Sequence, residues 1–219
     1  MAEVSDIELV IFDCDGVLVD SEEISSRVLL RHLREAGLQV SAEEVDARFL
    51  GPRLKDIVVT VEAEVHRELG EAWIREFEER RARVFEAELL RIPGAHDVLS
   101  SLTNHGVAVC VASQGRLEAT RRKLALVGLS KFFPSDALFS ADEVAYGKPH
   151  PGVFLHAAEV MGAAPSHCIV IEDSARGVAA ALQAGMRAFE YQGDSGAKGE
   201  AGARPLRSLA EVPRLLGIT

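Results

Sequence analysis

Five short apolar runs, most of them separated by helical patterns, restrict the possible folds of this chain more than any other feature. The runs are rich in β-branched and aromatic residues and almost continuously apolar, which is typical of strands buried on both faces. They are Leu9–Asp13, Val107–Ser113, Ala137–Ser140, Cys168–Glu172 and Arg187–Tyr191. Helical patterns alternate with the last four runs, at Leu117–Leu126, Val153–Met161 and Ala175–Ala184, and glycines follow two of these patterns, Gly162 and Gly185. This alternation predicts an α/β fold built on a doubly wound parallel sheet.

The segment from residue 18 to residue 90 differs, because it contains no convincing strand. Ser41 followed by Glu44 predicts a helix start closed by a capping box. Apolar residues then recur every four positions, which predicts one amphipathic helix through Val61, Val65, Leu69, Trp73 and Phe77. We therefore predict a core domain of residues 1–17 and 91–219, into which an all-helical cap of residues 18–90 is inserted. The two chain crossings would allow the cap to open and close as a lid.

The composition excludes several classes of partner. The chain has 219 residues, a formal net charge of −10 and 47% hydrophobic residues, so it can bury a core but lacks the basic surface that nucleic acid or an anionic membrane selects. Cys14, Cys110 and Cys168 lie in apolar runs without metal-ligand spacing, which is typical of reduced cysteines in a cytoplasmic protein. We expect a monomer or weak homodimer, without a membrane span, and a mobile loop at Gly193–Gly202.

Polar residues follow the predicted strands at the points where those strands end. Asp13 and Asp15 come at the end of the first strand, Ser113 ends the second, and Glu172 and Asp173 end the fourth. Lys148 lies in the loop "GKPHPG" before a helix. Because the carboxyl ends of parallel strands meet at one edge of a sheet, we expect these side chains to share a small volume. Clustered carboxylates favour a hard cation, Mg²⁺ above all, and the cation in turn favours a phosphate group.

Four segments carry a resemblance to a known family. "DCDGVLVDSEE", "VASQG", "GKPHPGVF" and "IEDSARGVAAALQAGM" resemble, in order, the four motifs of the haloacid dehalogenase superfamily. The helical insert resembles the cap of its β-phosphoglucomutase-like phosphatase branch. "VDSEEISSR", "RFLGPRLKDI" and "FEAELLRIPGA" are most similar to a group that includes 6-phosphogluconate phosphatases. One motif departs from the usual pattern, because Gln114 follows Ser113 where asparagine is frequent, and we expect Gln114 to contact substrate.

The resemblance implies a Mg²⁺-dependent phosphatase that acts on a small phosphorylated metabolite. Asp13 would be the nucleophile and would form an aspartyl-phosphate, while Asp15 would serve as acid and then as base. Ser113 and Lys148 would hold the phosphoryl group. The implied metal ligands are Asp13, the backbone carbonyl of Asp15, and Asp173. Glu172 would either bind the metal directly or make hydrogen bonds to its ligands.

Several alternatives fit the motifs less well. A carbon-attacking dehalogenase needs no magnesium and no second aspartate, and a phosphonate hydrolase would lack Asp15. A phosphosugar mutase of this superfamily carries a cap histidine about ten residues after the acid–base aspartate, where this chain has Ser25. A phospho-receiver module uses similar residues, but it is shorter and has no insert. For Asp20 and Ser21, capping of the first cap helix and a role in gating the site both remain open. His150 has no assigned role.

The cap stretch "RFLGPRLKDI" predicts which substrate the site prefers. It places Arg48, Arg53 and Lys55 around Gly51, which permits an unusual turn or a close backbone approach. Three cations beside such a turn predict a clamp for a second anionic group. Since arginine binds a carboxylate through two hydrogen bonds, we expect phosphorylated sugar acids to be preferred over neutral hexose phosphates.

Overall fold

A six-stranded parallel sheet forms the centre of the core domain. The computed structural model describes residues 6–193 and 199–218. In spatial order the strands are β5, β4, β1, β6, β7 and β8, and every neighbouring pair is parallel. Their bounds are β1 Leu9–Phe12, β4 Ala108–Ser113, β5 Leu138–Ser140, β6 Cys168–Glu172, β7 Arg187–Tyr191 and β8 Arg204–Leu206. The predicted α/β fold is confirmed, and the site strands β1, β4 and β6 are adjacent at its middle.

Helices cover both faces of this sheet. They are α5 Ala95–Asn104, α6 Leu117–Leu126, α7 Gly152–Val160, α8 Ala175–Gln183 and α9 Glu211–Leu215. Alternate residues of β1 point to opposite faces, so that Val10 and Phe12 pack with α5, α6 and α9, while Leu9 and Ile11 pack with α7 and α8. Burial on both faces explains why the strands are almost wholly apolar.

The insert forms a four-helix cap with its own hydrophobic core. Its helices are α1 Glu22–Ala36, α2 Ala42–Phe49, α3 Leu54–Val65 and α4 Gly70–Glu88. The two crossings pair with each other as a short antiparallel ribbon of β2 Val19–Asp20 and β3 Leu90–Arg91. The predicted domain boundaries fall at this ribbon and stay a prediction. The predicted capping box is present at α2, where Ser41 accepts from the Glu44 amide and Glu44 accepts from the Ser41 amide.

The prediction of one helix through residues 61–77 was wrong. Helix α3 ends at Val65, His66 takes a left-handed conformation with φ 51°, and α4 begins at Gly70. The break is stabilised by Glu62, whose carboxylate accepts from the amides of Leu69 (2.8 Å) and Gly70 (2.9 Å) at the start of α4. The apolar spacing nevertheless identified the buried face correctly, because all five apolar residues pack in the cap core.

The carboxyl-terminal part of the sheet was only partly predicted. The short strand β8 was missed, because Arg204 and Pro205 interrupt any apolar pattern. Part of the predicted mobile loop, residues 194–198, lies outside the described residues. Within the parts of the chain that the structure describes, we find no helix with the length and apolar character needed to cross a membrane.

Candidate active site

The predicted catalytic residues meet at the carboxyl edge of the sheet, beneath the cap. Asp13 directly follows β1, Ser113 ends β4, and Glu172 ends β6, with β1 between the other two strands. A cavity of about 370 Å³ opens at this edge and is lined by residues of both core and cap. This volume lies within the range usual for small-molecule sites. The cavity therefore holds Asp13, Asp15, Ser113, Lys148, Glu172 and Asp173 at one place, as the strand ends predicted.

Lys148 links the nucleophile candidate to the acidic end of β6. Its Nζ donates to Asp13 Oδ1 (2.5 Å), to Glu172 Oε1 (2.6 Å) and to the carbonyl of Ala112 (3.0 Å). All three side chains in this chain of ion pairs are buried. Burial opposes the charge of Lys148, but the carboxylates of Asp13 and Glu172 outweigh it and raise the pKa of the ammonium. Lys148 is therefore charged at neutral pH and is held in one place.

The loop that carries Lys148 is fixed by two further side chains. Gln114 Oε1 accepts from the Lys148 backbone amide at 2.9 Å, and Arg176 donates to the Lys148 carbonyl at 2.7 Å. Gly147 makes this possible, since a Cβ there would lie 2.7 Å from Gln114 Oε1. Gln114 was predicted to bind substrate. The structure places it on the cavity wall, where its carbonyl oxygen positions Lys148.

Glu172 is the most fully hydrogen-bonded carboxylate at this edge. Its Oε2 accepts from the amides of Asp173 and Ser174 (3.0 Å each) and from the Ser174 hydroxyl (2.8 Å), while Oε1 accepts from Lys148. Room for this side chain depends on Gly177 in α8, where a Cβ would lie 1.8 Å from Oε1. Because both oxygens already have donors, this arrangement suits Glu172 to orienting Lys148 rather than to offering a free oxygen to a metal ion.

Asp13 and Asp173 are crowded in a manner that favours a cation. Burial, together with the negative charges of Glu172 and Asp15, raises the pKa of Asp13 to about 7. Burial, Glu172 and Asp13 likewise raise the pKa of Asp173 well above its usual value. Asp173 also packs against the turn after Asp15, because a Cβ on Gly16 would lie 1.7 Å from its Oδ2.

The oxygens available here match the preferences of Mg²⁺. The described residues contain no group of three or more His, Cys, Asp or Glu side chains arranged to hold a metal. The carboxylates of Asp13 and Asp173 remain, and Mg²⁺ characteristically takes few carboxylates and completes its shell with water and phosphate oxygens. The chemistry of these two carboxylates fits magnesium, and Glu172, whose oxygens already have donors, would lie behind them.

Asp15 is held by one residue of the cap and one of the core. Ser21 Oγ donates to Asp15 Oδ1, and Lys123 Nζ donates to both carboxylate oxygens, at 2.5 Å to Oδ2. Burial opposes ionisation of Asp15, but Lys123 and Ser21 outweigh it and lower its pKa. Ser21 occupies the residue before α1, yet its hydroxyl makes no capping bond within the described structure. Of the two open interpretations, the geometry supports a role for Ser21 at the site.

Lys123 was missed by the sequence reasoning. It stands in "RRKLAL", which resembles the solvated face of a helix, but it is buried in α6. A signal was present, because Thr120, Lys123 and Leu124 have the i, i+3, i+4 spacing of a buried helix face. A lysine on such a face requires a charged partner, which Asp15 provides.

The predicted cap clamp is only partly brought to the cavity. Arg48 is not among the described residues that line it, because its guanidinium pairs with Glu64 and lies over the Phe49 ring at 4.7 Å. Gly51, Arg53 and Lys55 do line the cavity. Gly51 has φ 93°, as an unusual turn requires.

The two cations of this loop already have partners. Arg53 Nε donates to Asp56 at 2.9 Å, and another of its nitrogens reaches the Ala145 carbonyl at 3.5 Å. Lys55 lies 3.6 Å from Asp142 of the core. The loop thus contacts the core beside the site. A further cap arginine that was not predicted, Arg81 of α4, also lines the cavity.

The other open residues, Cys14 and His150, are not among the described residues that line the cavity. Cys14 is fully buried, and burial raises the pKa of its thiol far above the usual value, which excludes a reactive thiolate. His150 Nδ1 accepts from the Gly152 amide at 3.1 Å. That contact places His150 at the start of α7, in a capping role.

Comparison with known proteins gives a consistent result. The family model described as haloacid dehalogenase-like hydrolase matches residues 7–185. The chain is 36% identical over 191 residues to 6-phosphogluconate phosphatase of Escherichia coli, covering 87% of this chain and 85% of that protein. It is 31% identical to hexitol phosphatase B of the same organism, over 82% and 81% of the two chains.

A solved structure agrees with these matches. A haloacid dehalogenase-like protein from Agrobacterium tumefaciens superposes with a TM-score of 0.74 at 33% identity, covering 96% of this chain and 98% of that one. The family indicated by the four motifs is thereby confirmed, and the chain belongs to the haloacid dehalogenase-like hydrolases.

Proposed function

We propose that the protein is a Mg²⁺-dependent phosphatase that hydrolyses the phosphomonoester of a small sugar or sugar acid through an aspartyl-phosphate. The observation that carries this proposal is the constellation of Asp13, Lys148 and Glu172, with Ser113 and Asp15 at the same cavity. Two relatives, at 36% and 31% identity, support the reaction class, since they are named as phosphatases of 6-phosphogluconate and of hexitols.

Asp13 is placed to attack phosphorus. Among the described residues, the donor to its carboxylate is Lys148, which contacts Oδ1, so that Oδ2 is available. Attack in line forms the bond from Asp13 to phosphorus and breaks the bond from phosphorus to the ester oxygen. Ser113 Oγ accepts from the Gly115 amide at 3.0 Å, which leaves its own hydrogen for a phosphoryl oxygen. A magnesium ion bound by Asp13, Asp173 and the Asp15 carbonyl would neutralise charge on the phosphoryl oxygens.

Asp15 is placed to move protons in both half-reactions. In the first, it gives a proton to the ester oxygen, and the alcohol leaves. In the second, its carboxylate removes a proton from water, the water oxygen attacks phosphorus, and Asp13 is released together with inorganic phosphate. Lys123 and Ser21 favour the carboxylate form, which is the form that the water step requires.

The cap supports a preference for small anionic substrates. The cavity has a volume of about 370 Å³, and Arg53, Lys55 and Arg81 bring cationic side chains to its cap side, which also carries Glu22 and Glu71. A mutase is disfavoured by Ser25, which lines the cavity where that reaction would need a histidine. A non-catalytic receiver module is disfavoured because every group required for hydrolysis shares one cavity.

The test is a phosphate-release screen of the purified protein. The substrates would be sugar phosphates, sugar-acid phosphates, polyol phosphates and nucleotides, each with magnesium and with a chelator. We expect release that requires magnesium and is strongest for one sugar-derived class. Interconversion of sugar phosphates without net release would establish the mutase, and a stable phosphorylated protein without turnover would establish the receiver module.

A further inference from the structure

Arg81 occupies a distinctive place on the cap wall of the cavity. It lies on α4 one turn after Phe77 and one turn before Phe85, and its guanidinium carbon is 4.8 Å and 5.6 Å from the centres of their rings. Four-residue spacing puts the three side chains on one helix face. The contacts with the two rings hold the guanidinium beside α4, and Arg81 lines the same cavity as Asp15.

Arg81 differs from the other cavity arginines because no described residue makes a hydrogen bond or ion pair with it. Arg53 pairs with Asp56, Arg116 pairs with Glu78 at 3.1 Å, and Arg176 donates to the Lys148 carbonyl at 2.7 Å. None of the nitrogens of Arg81 appears among the buried polar atoms that lack both solvent and a partner, so each keeps some accessible surface, and Arg81 is one of the residues that line the cavity. A guanidinium offers five donors in a fixed fork, and no described residue accepts a hydrogen bond from those of Arg81.

The electrostatic environment of Arg81 suits an anion from outside the protein. Burial is the main influence on the guanidinium and lowers its pKa, with Asp15 and Glu78 opposing that effect from a distance. A partly buried charge without a bonded partner loses more hydration than it recovers from such distant carboxylates. An arriving carboxylate would supply two parallel charge-assisted hydrogen bonds, which is the geometry that guanidinium groups recognise best.

The position of Arg81 indicates which part of the substrate it would meet. Lys148 and Ser113 lie at the edge of the sheet, whereas Arg81 lies on the cap side of the cavity, near enough to Asp15 for their charges to interact. Asp15 protonates the ester oxygen in the proposed reaction, so Arg81 would lie beside the leaving group rather than beside the transferred phosphate.

We propose that Arg81 binds a carboxylate on the leaving group and is the main determinant of selectivity for sugar-acid phosphates, in place of the paired cations of residues 48–55. This inference rests on the proposed phosphatase function. It assigns the clamp predicted from "RFLGPRLKDI" to α4, because Arg48 and Arg53 already have carboxylate partners whereas Arg81 has none among the described residues.

The test compares matched substrates on matched variants. The substrates are 6-phosphogluconate, a neutral hexitol 6-phosphate of the same chain length, and p-nitrophenyl phosphate, which has no distal anion. The variants are Arg81→Met, Arg81→Lys and Arg53→Met, with Arg80→Met as the control. Arg80 is adjacent on α4 but pairs with Glu35 and Glu76 on the outer surface of the cap, so its loss changes charge equally without touching the cavity.

We expect Arg81→Met to lower kcat/KM for 6-phosphogluconate roughly ten- to a hundredfold, as loss of a charge-assisted pair implies, and to change the other two substrates less than about threefold. Arg81→Lys should recover part of the loss, and Arg80→Met should preserve the ratio between the substrates. Unphosphorylated gluconate should inhibit p-nitrophenyl phosphate hydrolysis by wild type and by Arg80→Met, and it should inhibit Arg81→Met much less.

Three outcomes would overturn the inference. Equal losses on all three substrates would make Arg81 a support for Asp15, unchanged ratios would remove it from recognition, and a larger change of ratio in Arg53→Met would return the clamp to the loop. If wild type hydrolysed none of the three substrates with magnesium, the proposed function itself would fail, and that result is distinguishable because it does not depend on Arg81.

Discussion

The cavity has a core edge, at the carboxyl ends of the sheet strands, and a cap wall, formed by residues of the helical cap. The two differ in whether their functional side chains already have partners within the protein. At the core edge each catalytic side chain is held by others, since Lys148 bridges Asp13 and Glu172 while Lys123 and Ser21 hold Asp15. On the cap side Arg81 lines the cavity without a bonded partner among the described residues, whereas Arg53 and Lys55 are held by ion pairs with Asp56 and Asp142. The comparison indicates that the chemistry is preorganised in the core, whereas the cap keeps capacity for a variable leaving group.

The largest effect should come from the nucleophile. Asp13→Asn should lower turnover of every substrate by at least about a thousandfold, because a neutral amide cannot attack phosphorus and pairs poorly with Lys148. Circular dichroism should show an intact fold, since the change removes one of several crowded negative charges. Substantial activity in a rigorously purified variant would disprove the aspartyl-phosphate route.

Asp15→Asn should separate the two half-reactions. Without a base for the water step, the enzyme should accumulate a phosphorylated form after reaction with p-nitrophenyl phosphate, whose leaving group needs little protonation. Intact-mass measurement should detect the added phosphoryl group on this variant and not on Asp13→Asn. If aryl and alkyl phosphates lose the first step equally, Asp15 is not the general acid.

Lys123→Met should remove the ion pair that holds Asp15 and leave the nucleophile candidate Asp13 unchanged. Loss of the charge-assisted pair with Asp15 should lower kcat roughly ten- to a hundredfold, while Lys123→Arg should retain part of the activity. Lys131→Met is the matched control, because Lys131 is exposed and lies over the Phe132 ring. A lowered melting temperature with unchanged kcat would give Lys123 a purely structural role.

The smallest effect should come from the surface contact between cap and core. Lys55 and Asp142 are each about half exposed and 3.6 Å apart, so the pair contributes at most about 1 kcal/mol. Lys55→Met should therefore change KM by no more than about fivefold, and the change should shrink at high salt. A far larger loss, unaffected by salt, would mean that Lys55 contacts substrate directly.

The two regions also differ in how far the sequence alone predicts them. The carboxyl ends of parallel strands lie along one edge of a sheet. The sequence alone therefore predicts that Asp13, Ser113 and Glu172 lie close together. The cap has no such rule, because its interior face depends on how four helices pack. A regular spacing through residues 61–77 concealed the break at His66, and "RFLGPRLKDI" suggested free cations at Arg48 and Arg53, which the fold pairs with Glu64 and Asp56.

Buried or half-buried cations inside charged helix segments were the hardest residues to predict. Lys123 lies beside two arginines in "RRKLAL", and Arg81 is one of four charged residues in "ERRAR". The sequence alone does not distinguish either residue from its charged neighbours. In both cases the distinguishing fact is three-dimensional, because one lysine is buried against Asp15 and one arginine is left without a bonded partner among the described residues. Helix spacing identifies such positions as candidates, but their partners come from elements distant in the chain.

The ribbon of β2 and β3 makes the cap a replaceable module. Val19 pairs with Arg91 and Asp20 with Leu90, so the two ends of the insert lie one strand spacing apart. A tight two-residue turn would be long enough to span that gap, so the whole cap could be exchanged for that of another enzyme, or for a turn, without altering the path of the core chain. The same core chemistry could thus be assigned to a new leaving group by transplanting one continuous segment.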